Sequence, residues 1–200
     1  MGDEITAGMV GAFAALLIPF TAYCRRPRVM LREDTSGVHS RVEGNGNPFV
    51  RILVRNSRLR RSAVETTVFV DHYQPRGGEI VTLGCPRLAW TSHFEDVGPT
   101  VFAGWERPFD LGQFIQGKSI PLSGFEHDHW YLWLALGTTN APINLADGRN
   151  WVPASPNGVV FRLTVGAADS AGRTYDVDVN WDPLATSAEE VLSSLTMAVR

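Results

Sequence analysis

The sequence predicts a mainly β domain carried on an N-terminal transmembrane helix and closed by a short C-terminal amphipathic helix. Three observations predict it. An apolar run over residues 5–24 carries no charge, segments such as 49–55 and 64–70 alternate apolar with polar residues, and helical apolar spacing is confined to residues 186–200. No heptad, low-complexity tract or solenoid repeat competes with this reading. The chain divides into an N-terminal tail (1–4), a transmembrane helix (5–24), a β domain (25–185) and an amphipathic helix (186–200).

The first element is read from length and flanks. At 1.5 Å rise per residue, a helix over 5–24 reaches about 30 Å, the thickness of a bilayer's hydrocarbon core. A cleaved signal would place positive charge before a shorter apolar stretch, whereas Asp3 and Glu4 precede this one and no small-residue cleavage site ends it. Tyr23 is too bulky for the position before a lipidated cysteine, so Cys24 reads as an ordinary thiol at the membrane edge. Arg25, Arg26 and Arg28 follow directly, and basic residues resist translocation. The expected topology is a single-pass cell-membrane protein with its N-terminus outside and its β domain cytoplasmic. Ala7, Gly11 and Ala15 recur every fourth residue, the spacing of small residues at helix–helix contacts, and predict self-association of the anchor into a homo-oligomer.

Charge is uneven along the chain. The net charge is −3, yet residues 25–61 hold ten of the eighteen basic residues against Glu33, Asp34 and Glu43. That membrane-proximal third suits contact with anionic headgroups, at about 1 kcal/mol per basic residue near the surface. Cys24 and Cys85 make no disulfide framework, in keeping with a reducing compartment.

The strands follow in order. Residues 29–31 begin the series, and the turn cluster GNGNP at 44–48 leads into 49–55. There Val50, Ile52 and Val54 face a core while Arg51 and Arg55 face outward. The polar turn NSRLRRSA leads to 64–70, which is expected to pair antiparallel with 49–55. Further strands are expected at 80–83, 100–103, 130–136, 158–165 and 174–181, the last two joined as a hairpin by GAADSAGR. Ser187-Ala188-Glu189-Glu190 has capping-box form, and Ala188, Val191, Leu192, Leu195 and Val199 follow at helical spacing, predicting three to four turns.

The stretches FVRILVRNSRLRRSAVETTVFV and VFAGWERPFDLG carry a resemblance. A strand ending in V-R-N, a polar turn, the small residue Ala63, a second alternating strand and a later glycine-containing segment resemble the immunoglobulin-like β-sandwich of cell-adhesion-related bacterial domains. The arrangement is similar to bacterial membrane-anchored proteins of unknown function in which one N-terminal helix precedes such a sandwich. Over residues 28–111 the resemblance implies an antiparallel immunoglobulin-like β-sandwich and an interaction role. It transfers no catalytic residue.

Candidate chemistry is sparse. Arg58, Arg60 and Arg61 share one turn, which reads either as a solvated hairpin tip or as a clamp for phosphates through bidentate hydrogen bonds. No interleaved aromatic platform accompanies them, so no specific nucleic acid is expected as partner. The long connection at 137–158 carries Trp151 with Asp147 and Asn150, either lining a ligand pocket or covering one end of the core. His127 and His129 in FEHDHW would share one face of an extended strand, but a metal site needs a further ligand, available only if His72 or His93 approached. The bland reading, a solvated start to a strand, is preferred. No glycine-rich phosphate loop, G-x-S-x-G elbow or acidic metal pair is present, so neither an enzyme nor a cofactor is implied.

Three functional readings stand on this sequence. The first is a membrane-tethered interaction module that binds a protein partner. The second is a ligand-gated effector that senses a nucleotide at the arginine turn and clusters through its anchor. The third is a metal-dependent enzyme at His127 and His129.

Overall fold

The computed structural model describes residues 24–33, 46–90, 98–138, 141–142, 145 and 147–200. The chain is mainly β, built as two antiparallel sheets. The first is formed by β1 (Val29–Glu33), β2 (Phe49–Asn56), β6 (Glu106–Gln116), β7 (Trp130–Leu134) and β10 (Trp151–Val152), in the order β1-β2-β6-β7-β10. The second runs β13 (Thr196–Val199), β12 (Ser170–Asn180), β11 (Val159–Ala167), β3 (Thr67–Pro75), β5 (Arg87–Leu88), β8 (Leu136–Thr138) and β9 (Ala141–Pro142), with β4 (Val81–Thr82) beside β3. An α-helix, α1 (Ala188–Ser194), precedes the last strand.

Alternation explains the core. Val50, Ile52 and Val54 of β2, Phe109 and Phe114 of β6, and Leu132 and Leu134 of β7 join Val68 and Val70 of β3, Phe161 and Leu163 of β11, and Val177 and Val179 of β12 in one buried cluster. Both sheets therefore bury an apolar face in the same interior, the main favourable contribution to folding. The chain crosses between the sheets at Ala135, whose N–H donates to Leu111 and whose carbonyl accepts from Ala89. That three-way junction ties β6, β7 and the segment after β5 into a corner.

The expected hairpin of 49–55 with 64–70 does not form. β2 lies between β1 and β6, and β3 lies between β11 and β5, so the intervening turn carries the chain from one sheet to the other. Within that connection Ala63 bridges Val101, occupying the backbone groups that a hairpin would have used. The expected hairpin of β11 and β12 does form, with Ala167 opposite Ser170 at its tip.

β6 was not among the predicted strands, because Pro108 and Gly112 interrupt its pattern. Proline is tolerated since β7 pairs with β6 only from Gly112 onward, which leaves one side of Pro108 without a ladder partner in β7. A bulge then breaks the two-residue period: Val50 opposes Gly112 while Arg51 opposes Asp110, leaving Leu111 extra and buried.

The same register corrects the reading of Arg51 as an exterior residue. It is 3 % exposed, and its Nε donates to Asp110 Oδ1 at 2.6 Å. Leu53 on that face is buried too, so β2 is covered on both sides over this stretch. A buried guanidinium needs a nearby carboxylate to offset its lost hydration, and the bulge places one opposite. Arg55 does sit nearer the surface, 3.5 Å from Glu106.

The C-terminal helix is shorter than predicted. Ser187 caps it, its Oγ accepting from the N–H of Glu190 at 3.1 Å, and the Glu190 carboxylate reaches back to the N–H and hydroxyl of Thr186. After Ser194 the chain straightens into β13, which pairs with β12 from Val177 to Asn180. The open ladder of β12 outcompetes further helix, since each added strand residue finds partners already fixed, whereas a helix this short is marginal alone.

Among the described residues no helix is long and apolar enough to cross a membrane. The transmembrane helix predicted over 5–24 lies, Cys24 excepted, outside the described residues, as do Ala7, Gly11 and Ala15.

Candidate functional site

The site is organised by the residue that ends β2. Asn56 is fully buried, and its side chain has three backbone partners: Oδ1 accepts from the N–H of Arg28 at 3.2 Å, while Nδ2 donates to the carbonyls of Arg61 at 2.7 Å and Val101 at 3.1 Å. One amide thus gathers three separate segments: the residues entering β1, the turn after β2, and the loop before β6. Backbone bonds reinforce the arrangement, with the N–H of Arg61 on the carbonyl of Arg25 at 2.9 Å and the N–H of Ser57 on that of Arg28 at 3.3 Å. A buried asparagine with all these groups satisfied fixes local geometry, because each bond lost would leave a desolvated polar atom.

The consequence is a concentration of positive charge. A pocket of about 270 Å³ opens between residues 26–29, Arg60 and the tip of the β11–β12 hairpin, lined by Arg26, Arg28, Arg60 and Arg173 together with Ser170 and Ala171. Among the described residues no aspartate or glutamate lines it. Elsewhere the pattern is opposite: Arg51, Arg55, Arg76, Arg149, Arg162 and Arg200 each lie against a carboxylate. Among the described residues the guanidinium groups of Arg28, Arg60 and Arg173 have no such partner. Arginines lining one cavity offer planar donors that match the oxygens of a phosphate or carboxylate group.

The structure brings only part of the predicted set together. Arg60 lines the pocket, while Arg61 is exposed beside it and Arg58 lies across Gly104. Gly104 has φ 78°, and a Cβ there would stand 2.6 Å from Arg58 Cγ, so this close approach requires glycine. Trp151 is elsewhere: it is buried in β10 within a second cluster with Ile120 and Tyr131, packed by Phe125 and Trp133. It serves there as cover for the first sheet.

FEHDHW is a turn, with the strand starting only at Trp130, so His127 and His129 do not share an extended face. The turn is held by the N–H of Lys118 on the carbonyl of His127 and that of Gly117 on the carbonyl of His129. His129 Nδ1 stands 2.9 Å from Glu126 Oε2, though not aligned for a hydrogen bond. Among the described residues no group of three or more histidine, cysteine or acidic side chains gathers as a metal site. A larger cavity of about 650 Å³ lies between this turn and residues 180–183. Its tryptophans serve packing: Trp130 Nε1 donates to the carbonyl of Ala185 and Trp181 Nε1 to that of Trp130, both buried.

Sequence reasoning missed Arg173, which only the fold brings beside Arg60, and the loop pair Phe102 and Trp105. Those two rings meet edge to face with centroids 5.7 Å apart and remain 47 % and 58 % exposed. The presence of arginine before and after β2 was a usable signal, whereas an exposed tryptophan reads in sequence like a core one.

Compared with known proteins, the chain matches no family model, no curated protein and no solved structure.

Proposed function

We propose that this chain is a non-enzymatic, single-pass membrane-anchored interaction module: an immunoglobulin-like β-sandwich, tethered by residues 5–24 on the cytoplasmic side, that recognises an anionic phosphate-bearing partner with its anchor-proximal end. Two antiparallel sheets sharing one core support the sandwich reading. The arginines at 25, 26 and 28, immediately after the apolar run, support the orientation. The observation that carries the reading is the pocket of Arg26, Arg28, Arg60 and Arg173, which no carboxylate lines among the described residues and whose flanking segments Asn56 ties together.

A ligand-gated effector would use the same pocket, with a soluble phosphate ester as the signal and the anchor as the clustering element. Titration of the full chain in detergent micelles with pyrophosphate tests the shared chemistry. Saturable binding that weakens with salt, and weakens further in Arg60→Glu with Arg173→Glu, is expected. Absence of saturable binding to the unaltered chain would refute the anion-binding role. A ligand-dependent increase in oligomer mass would select the effector reading over the simple module. An introduced cysteine at Ser57, with Cys24 and Cys85 replaced, tests topology: labelling by an impermeant reagent on intact cells would place the domain outside.

A further inference from the structure

The arginine pocket does not stand alone at its end of the domain. Leu59, between Arg58 and Arg60, is 89 % exposed, and the neighbouring loop presents Phe102 and Trp105. The two loops are locked together: the N–H of Asn56 donates to the carbonyl of Trp105, that of Gly104 to the carbonyl of Asn56, and Arg58 packs on Gly104. Three large apolar side chains stand exposed on these two loops, one of which carries Arg58, Arg60 and Arg61, at the end of the domain where the arginine pocket opens, and neither solubility nor core packing explains them.

We propose that this end docks flat on an anionic phospholipid bilayer, with Leu59, Phe102 and Trp105 seated at headgroup depth and the arginine pocket holding lipid phosphates. The inference deepens the anion-binding reading above and names the partner. Tryptophan and phenylalanine partition to the membrane interface, where an amphipathic ring is wet on one side and apolar on the other. Arginine stems lie along apolar surface while their guanidinium groups reach phosphates. A soluble anion would need the pocket alone and gives no reason for the three exposed apolar residues beside it. Charge complementarity and the exposed triad together favour a lipid surface over a second copy of the chain, whose matching face would carry the same positive charge.

The opposite end of the first sheet supplies an internal control. Glu106 begins β6 beside Trp105, while Gln116 at its other end pairs with Trp130, whose indole holds Ala185. Leu184, 59 % exposed, therefore sits at the far end. The test uses the full chain with Cys24 and Cys85 replaced by serine, carrying a polarity-sensitive fluorophore at Trp105→Cys, at Leu59→Cys or at Leu184→Cys. Each is reconstituted into vesicles of phosphatidylcholine with or without phosphatidylglycerol, and quenching by nitroxide lipids is measured.

Docking predicts blue-shifted, strongly quenched emission at positions 59 and 105 with phosphatidylglycerol, little at 184, and a loss of roughly tenfold or more in the docked-to-free ratio with Arg60→Glu and Arg173→Glu. Unquenched probes at 59 and 105 on anionic vesicles would overturn docking, while retained pyrophosphate binding would leave the anion-binding reading intact. Equal quenching on phosphatidylcholine alone would overturn the role given to the arginines. Protection from water that rises with protein density, without quenching, would instead mark a contact between copies and overturn the lipid assignment.

Discussion

The side-chain amide of Asn56 donates to the carbonyl oxygen of Arg61 at 2.7 Å, so the buried end of β2 sets the conformation of the exposed arginine turn. Because the same side chain accepts from Arg28 and donates to Val101, a single residue couples the domain's interior to three loops of its charged end. Asn56→Ala would strand the Arg61 carbonyl and the Arg28 N–H and leave the Val101 carbonyl with the Ala63 N–H alone, and is expected to cost about 2–4 kcal/mol. Asn56→Asp is expected to be worse, since it replaces a donor facing two carbonyls with an acceptor. Urea unfolding of the full chain measures both, and an unchanged midpoint for Asn56→Ala would show that the hub is dispensable.

Arg51 and Asp110 form an ion pair inside the fold. Removing one charge leaves the other desolvated, so Arg51→Met or Asp110→Leu alone is expected to cost about 3–5 kcal/mol. The double variant should recover most of that loss, since an apolar pair escapes the desolvation penalty. A double-mutant cycle measured by denaturant unfolding checks this, and additive losses would mean the two residues act through separate partners.

Val191 is the buried anchor of α1, and β13 completes the edge of β12. Val191→Ala is expected to lose about 1–3 kcal/mol through the vacated core volume. Deleting residues 186–200 should lower the melting temperature further, because it also exposes the ladder of β12. An unaltered melting temperature after that truncation would contradict the docked arrangement.

Asp176 and Glu190, like Asp147 beside Arg149, contribute to an acid limb. Hydrogen bonds from Arg162 hold the Asp176 carboxyl below the ordinary carboxylate range, and the hydroxyl and N–H of Thr186 do the same for Glu190. A group with a depressed folded pKa stabilises the fold above its unfolded pKa, and that stabilisation disappears as pH falls through the folded value. Melting temperature should therefore hold from neutrality to the ordinary carboxylate range and decline below it. Asp176→Asn with Glu190→Gln should lower stability at neutral pH and flatten the acid decline. An acid decline as steep as that of the unaltered chain would assign it to other groups.

Much of this was legible in the sequence because it depends on local periodicity. The alternation of Val50, Ile52 and Val54, the hairpin of β11 and β12, and the Ser187 cap each follow from neighbours a few residues apart. What was not legible depends on register and on chain crossings. Arg51 reads as exterior by alternation and is interior because a bulge in β6 sets Asp110 opposite it. Residues 196–199 continue a helical spacing yet also alternate, and the unpaired edge of β12 decides between the two. In the candidate site, Arg60 was visible as one of three arginines in a turn. Arg173 was not, since more than a hundred residues separate it from Arg60 and only the hairpin tip brings it near.

The central claim is that Arg26, Arg28, Arg60 and Arg173 act together on one anion. Heteronuclear NMR of the full chain in detergent micelles, with isotope-labelled arginine side chains and pyrophosphate as titrant, reads each guanidinium directly. The account predicts that the Nε–H resonances of Arg28, Arg60 and Arg173 shift along one saturating curve with that of Arg26, while those of Arg51 and Arg162, held by Asp110 and Asp176, stay in place. Small, uniform, non-saturating shifts across all arginines would show diffuse screening without a site, and would contradict it.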